Sequence, residues 1–167
     1  LLLSYSALNL SPKDYVARNN LGAVLLDLGR FEDAEENFRK SILIKFDFFG
    51  NHFGLGNALR QQGKLDEAGA CYRQTIELNP DFSEAHFSLG LTLQDQGRFE
   101  EAKRSYKNAL LINPKFSEAY NYLSNILQKQ GKFNKAQKYC EQAIRLKPDY
   151  AAAHCNLAII FFAKNLS

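Results

Sequence analysis

The sequence predicts an all-α protein, a solenoid of antiparallel helix pairs, and three observations carry that expectation. Gly29, Gly63, Gly97 and Gly131 recur at a step of 34 residues, each followed by Arg or Lys and then by a large apolar residue. Ala34, Ala68, Ala102 and Ala136 keep that step, as do Leu21, Leu55, Leu89 and Leu123, and Leu157 extends the leucines into a fifth unit. Pro80, Pro114 and Pro148 close the later units, and Pro12 fits the same series upstream, with Phe46 in the gap.

Within a unit the spacing is helical. In the third, Ala85, Leu89 and Leu93 recur every four residues until Gly97 supplies a left-handed stop. A second helix follows, with Phe99, Ala102, Tyr106, Ala109 and Leu110 on one face. Pro114 then ends it, because proline lacks an amide donor and restricts the residue before it. Asp81 with Glu84 three residues on reads as a capping-box variant opening the first helix. Small residues, Gly90 and Ala102, let the two helices approach closely.

Bulk properties leave room for little else. At 167 residues, 46% apolar and 23% charged, the chain has the composition of one globular domain with a real core. No apolar stretch reaches the roughly 20 residues of a membrane helix, and LLLSYSALNL lacks the basic flank and cleavage site of a secretory signal. The sequence has no methionine, so it reads as a piece of something longer. Cys71, Cys140 and Cys155 have no CxxC spacing, which points to packing roles in a reducing, cytoplasmic compartment, with Cys155 the most exposed. A formal charge of +3 is low for a globally basic nucleic-acid binder.

The pattern resembles the tetratricopeptide repeat, a 34-residue helix pair with the signature W-x2-L-G-x2-Y…A-x3-F…A…P. In the third unit His86 stands at the Trp place, Leu89 and Gly90 match Leu-Gly, and Leu93 replaces Tyr. Ala102 and Tyr106 keep the A-x3-F spacing, and Ala109 and Pro114 complete it. The resemblance implies a right-handed superhelical solenoid in one domain. Residues 1–14 end a preceding unit, full units span 15–48, 49–82, 83–116 and 117–150, and 151–167 form the first helix of a fifth. Departures are local: Phe46 replaces a proline, Ser124 a small glycine and Cys140 a large aromatic.

Several apparent motifs dissolve in this period. His52, His86 and His154 share one phase, and equivalent helices about 10 Å apart cannot bring their rings to one zinc at about 2 Å. They read as core or inter-helix packing. Gly56 to Lys64 fails as a phosphate loop, since Ala58 stands where glycine is needed and Leu65 where Ser or Thr binds magnesium. No nucleophile has a base at suggestive spacing, so neither catalysis, a cofactor nor a metal is expected.

The resemblance implies that first helices line a concave groove with residues 2, 5, 9, 12 and 13 of each unit. By that phase the groove holds Asn19, Phe53, Asn57, Phe87, Leu91, Gln94, Asn121, Asn125 and Gln128. Packing does not demand Phe53, Phe87 or Leu91 there, and an exposed apolar strip marks a partner site. Amide side chains donate and accept, so they can pair with a peptide backbone without reading side chains, although simple solvation accounts for them too. Some members of the family clamp a carboxylate with lysine in the groove. Here Phe53 and Phe87 hold those places, which disfavours a co-chaperone role.

Charge is uneven along the array. The full units carry −1, −1, +1 and +3 in order, and Lys132, Lys135 and Lys138 crowd the start of the last second helix. Cations there oppose the helix dipole. The patch suits an acidic partner, though a solvated face fits slightly better; without aromatics interleaved on it, nucleic acid is not expected. The expectation is a non-catalytic scaffold binding a protein or peptide, with no nucleic-acid or membrane partner. The alternatives are the docking arm of a larger glycosyltransferase- or sulfotransferase-type enzyme, or a self-assembly module. Head-to-tail stacking would pair Ile159, Ile160, Phe161 and Phe162 with Leu1, Leu2, Leu3, Leu8 and Leu10 of the next copy.

Overall fold

The structure, a computed structural model, describes residues 14–165, and among these it holds nine helices and no strand. They pair as α1 (Asp14–Asp27) with α2 (Phe31–Ile44), α3 (Phe49–Gln61) with α4 (Leu65–Leu78) and α5 (Ser83–Asp95) with α6 (Phe99–Ile112). A fourth pair, α7 (Ser117–Lys129) with α8 (Phe133–Leu146), is followed by α9 (Ala151–Asn165). Each helix packs on the next, so the chain is an all-α superhelical solenoid.

The periodic glycines do what their spacing implies. Gly29, Gly63, Gly97 and Gly131 have φ of 72°, 76°, 76° and 70°. At each, the glycine N–H bonds the carbonyl three residues back and the next N–H bonds five back, as in Gly63 to Arg60 and Lys64 to Leu59. This double bond set satisfies carbonyls that the helix end would otherwise orphan. The second helices end two residues before Pro80, Pro114 and Pro148, with Asn79, Asn113 and Lys147 extended. Lys45 adopts similar φ and ψ before Phe46, so the first unit makes this turn without its proline.

The expected capping box at Asp81 does not form. Phe82 is the cap residue of α5 and no side chain bonds the helix end; Ser83 Oγ instead donates to Glu84 at 2.9 Å. The helix begins two residues past Asp81, which leaves that carboxylate outside the first turn.

Inside each pair a glycine meets a ring. A Cβ on Gly22, Gly56 or Gly90 would lie 2.9, 2.8 or 2.5 Å from the ring of Phe38, Tyr72 or Tyr106. All three rings are buried, as are Ala34, Ala68, Ala102 and Ala136. The fourth unit exchanges both partners at once. Ser124 brings a Cβ and an Oγ that donates to the Ala136 carbonyl at 2.8 Å, while Cys140, fully buried, donates to the Ala153 carbonyl at 2.9 Å. Burial holds the Cys140 thiol above its ordinary pKa. A larger residue facing a smaller one conserves volume.

The histidines are mostly loop clamps rather than core. Nε2 of His52, His86 and His154 lies 2.7, 3.1 and 2.8 Å from the carbonyl six residues back, on Phe46, Pro80 and Pro148. A carbonyl only accepts, so Nε2 carries the proton. Only His52 is buried. Among the described residues no group of His, Cys, Asp and Glu could hold a metal ion, and no helix is long and apolar enough to cross a membrane.

Neighbouring units are tied by a device the sequence did not advertise. Gln62, Gln96 and Gln130, each just before a turn glycine, donate to Glu35, Asp66 and Glu100 of the preceding unit at 2.8, 2.8 and 2.6 Å.

Candidate functional site

First helices touch along the array, α1 with α3, α3 with α5 and α7 with α9, and therefore line its inner side. The expected apolar strip is only partly open there, with Phe53, Phe87 and Leu91 half-buried. Phe53 packs its ring 4.9 Å from Phe82 and 5.9 Å from Tyr72, and Phe87 lies 4.7 Å from Phe116 and 5.5 Å from Tyr122. Leu91 packs against the same core. Packing does use these side chains: the aromatic that ends each unit, just ahead of the following first helix, needs a partner, and Phe53 and Phe87 of the same unit's first helix supply it.

Two expected amides are likewise spent inside the protein. Asn121 is buried, accepting from Asn156 at 2.7 Å and facing the Tyr150 hydroxyl at 3.5 Å. Asn19 donates at 3.0 Å to Asn51, itself fully buried, which also takes a bond from Ser41 and donates to the Lys45 carbonyl. Both sequence-silent partners, Asn51 and Asn156, act across a unit boundary, which a single-unit pattern cannot register.

Three of the four remaining amides converge. Gln94 of α5, Asn125, Gln128 and Lys129 of α7, and Asn156 of α9 line one cavity of about 220 Å3, with Ile126. The Asn125 Oδ1 is buried without a hydrogen-bond partner. Tyrosine hydroxyls occupy the acceptors of Asn57, at 2.8 Å from Tyr72, and Gln94, at 3.3 Å from Tyr106. Burial raises both phenol pKa values, so the hydroxyls stay donors. The amide nitrogens of Asn57 and Gln94 are left as donors. Arg60, also on this side, is neutralised by Asp95 at 2.7 Å.

These features match one family. Tetratricopeptide-repeat models match residues 16–45 and 93–154, and a TPR-repeat model matches 56–97. The chain belongs to the tetratricopeptide repeat family. Among solved structures, MamA superposes with a TM-score of 0.79 at 24% identity over 87% of this chain and 85% of that one. TTC0263, a thermophilic TPR protein of Thermus thermophilus, gives 0.74 at 22% over 94% and 86%. The APC/C hetero-tetramer Cut9–Hcn1 gives 0.82 at 13%, over 87% of this chain and 29% of that one. No curated protein sequence matches. The tetratricopeptide fold is in general a protein-interaction scaffold.

On the outer side of this tetratricopeptide array, Lys132, Lys135 and Lys138 do gather, joined by Lys103 and Lys107 of α6 around a cavity of about 430 Å3. One expectation about this face is corrected. Tyr139 lines the cavity, so an aromatic does stand among the lysines. Its ring packs on Tyr120, at 6.0 Å and 31°.

Proposed function

We propose that the array is a non-catalytic scaffold whose concave groove takes an extended peptide segment of a partner protein, recognised mainly by its main chain. Asn125, which lines the polar cavity and whose buried Oδ1 has no partner in the protein, carries this reading. A buried acceptor without a bond costs about 1–3 kcal/mol, and turning the amide toward the cavity would let a peptide N–H relieve it. An extended peptide alternates N–H and C=O, and the Gln94 amide nitrogen and the Gln128 carboxamide supply the complementary groups within one cavity. Peptides selected from a display library on the wild-type chain provide the probe. Asn125→Ala should weaken their binding by about tenfold, with an unchanged circular dichroism spectrum. Equal binding by both proteins would reject the site.

A second reading, contact between copies, is supported by α9. Ile159, Phe161 and Phe162 are 53%, 46% and 68% exposed on one helix. Leu1, Leu2, Leu3, Leu8 and Leu10, the expected counterpart, lie outside the described residues. Sedimentation over a wide concentration range should show a mass rising above 19.0 kDa; a constant mass defeats it.

A further inference from the structure

We propose that the outer cleft between α6 and α8 is a second binding site, for an acidic peptide segment that carries an apolar side chain. The molecule holds its own reference for this cleft two repeats away. Glu35, Arg39, Lys64, Glu67 and Ala70 stand in the α2/α4 cleft where Lys103, Lys107, Lys132, Lys135 and Lys138 stand in the α6/α8 cleft. The first set closes on itself: Glu35 pairs with Arg39 at 2.8 Å and Lys64 at 2.9 Å, and Arg39 reaches Glu67 at 3.0 Å. The second set has a lysine at every position. Lys103 is held by Glu100 and Lys132 by the Gln130 amide, but the side chains of Lys107, Lys135 and Lys138 have no partner among the described residues. The two carboxylates that complete the first cleft are thus missing from the second, and a ligand's carboxylates would restore them.

The rest of the surface says what else the ligand carries. Buried Leu123 and Leu127 of α7 lie beneath the lysines, and the cleft continues past Lys107 and Tyr139 into an apolar hollow of about 330 Å3 lined by Leu110, Leu111 and Tyr120. Leu111 is 80% exposed. A phosphate or sulfate ion would meet the lysines and leave this half uncovered. Single-stranded nucleic acid would stack its bases on an open ring, whereas Tyr139 and Tyr120 pack on each other. An acidic segment with one leucine or phenylalanine meets both halves.

The test uses a labelled peptide of five glutamates around one leucine, its leucine-to-serine counterpart, inorganic phosphate and a single-stranded oligonucleotide. The leucine peptide should bind wild type best, and added salt should weaken it, since screening acts on exposed charges. Lys103→Glu with Lys135→Glu rebuilds the charge pattern of the α2/α4 cleft, so the fold is kept while binding should fall by about tenfold or more. Asn125→Ala, in the other groove, should leave it unchanged. Unaltered affinity in the double variant, no preference for leucine over serine, no binding of the peptide, or tighter binding of phosphate or the oligonucleotide would each overturn the proposal.

Discussion

The α2/α4 and α6/α8 clefts share a backbone and differ in what fills it. In the first, Glu35 sits at the centre of four hydrogen bonds, two from Arg39 and one each from Gln62 and Lys64. Partial burial would push its carboxyl up, but the bonds from Lys64, Gln62 and Arg39 together outweigh it and hold the pKa at about 2. In the second, lysines repel one another above buried Leu123 and Leu127. The packing beneath differs in parallel: a glycine facing a buried ring in the first three units, serine facing cysteine in the fourth. One scaffold thus holds a region that completes its own interactions and a region whose Lys107, Lys135 and Lys138 side chains have no partner among the described residues.

Substitutions in the core should separate the two regions most strongly. Phe38→Ala should cost about 3–5 kcal/mol, because it empties the space that Gly22 and Gly54 leave for the ring. Cys140→Ala, at the equivalent place in the fourth unit, should cost only about 1 kcal/mol, read from urea unfolding. A comparable loss at both sites would show that the two pairings are not alternative solutions. Cys140→Tyr alone should then cost about 1–3 kcal/mol by overpacking against Ser124, and Ser124→Gly should recover most of it in the double variant. Additive effects would disprove the exchange of volumes.

Acid should separate the clefts next. Glu35 has a depressed folded pKa, so its stabilisation is present above about pH 4.5 and fades as pH falls toward about 2. Glu35→Gln should lower the melting temperature at pH 7 and flatten its decline across that window. An unchanged decline would place the acid sensitivity elsewhere. The smallest effect belongs to the lysines: Lys103→Glu with Lys135→Glu should raise stability by roughly 0.5 kcal/mol at low salt, the scale of exposed ion pairs. Destabilisation would mean that the lysines are not in mutual repulsion.

Legibility in the sequence differs residue by residue. Gly97 and Pro114 act through their own backbone, so their spacing already implied a turn and a helix end. The lysines at 132, 135 and 138 were visible as a run, but Lys103 and Lys107 join them only because α6 and α8 flank the same face of α7. Phe53 looked like an open anchor because its phase points toward the groove. Its ring is taken by Phe82, the last residue of its own unit and the cap residue of α5, through a contact that only the fold of the whole helix pair creates.

The repeat, the helix pairs, their stops and the family were all written in the linear order of residues, because each depends on interactions within a few turns of one chain segment. Which polar groups remain free was settled only by the packing of units on one another. Asn121 and Asn125 lie one turn apart on α7 and look alike in sequence, yet the first is claimed by Asn156 of α9 and the second keeps an unpartnered oxygen. That outcome turns on hydrogen-bond geometry across unit boundaries, and no local pattern encodes it.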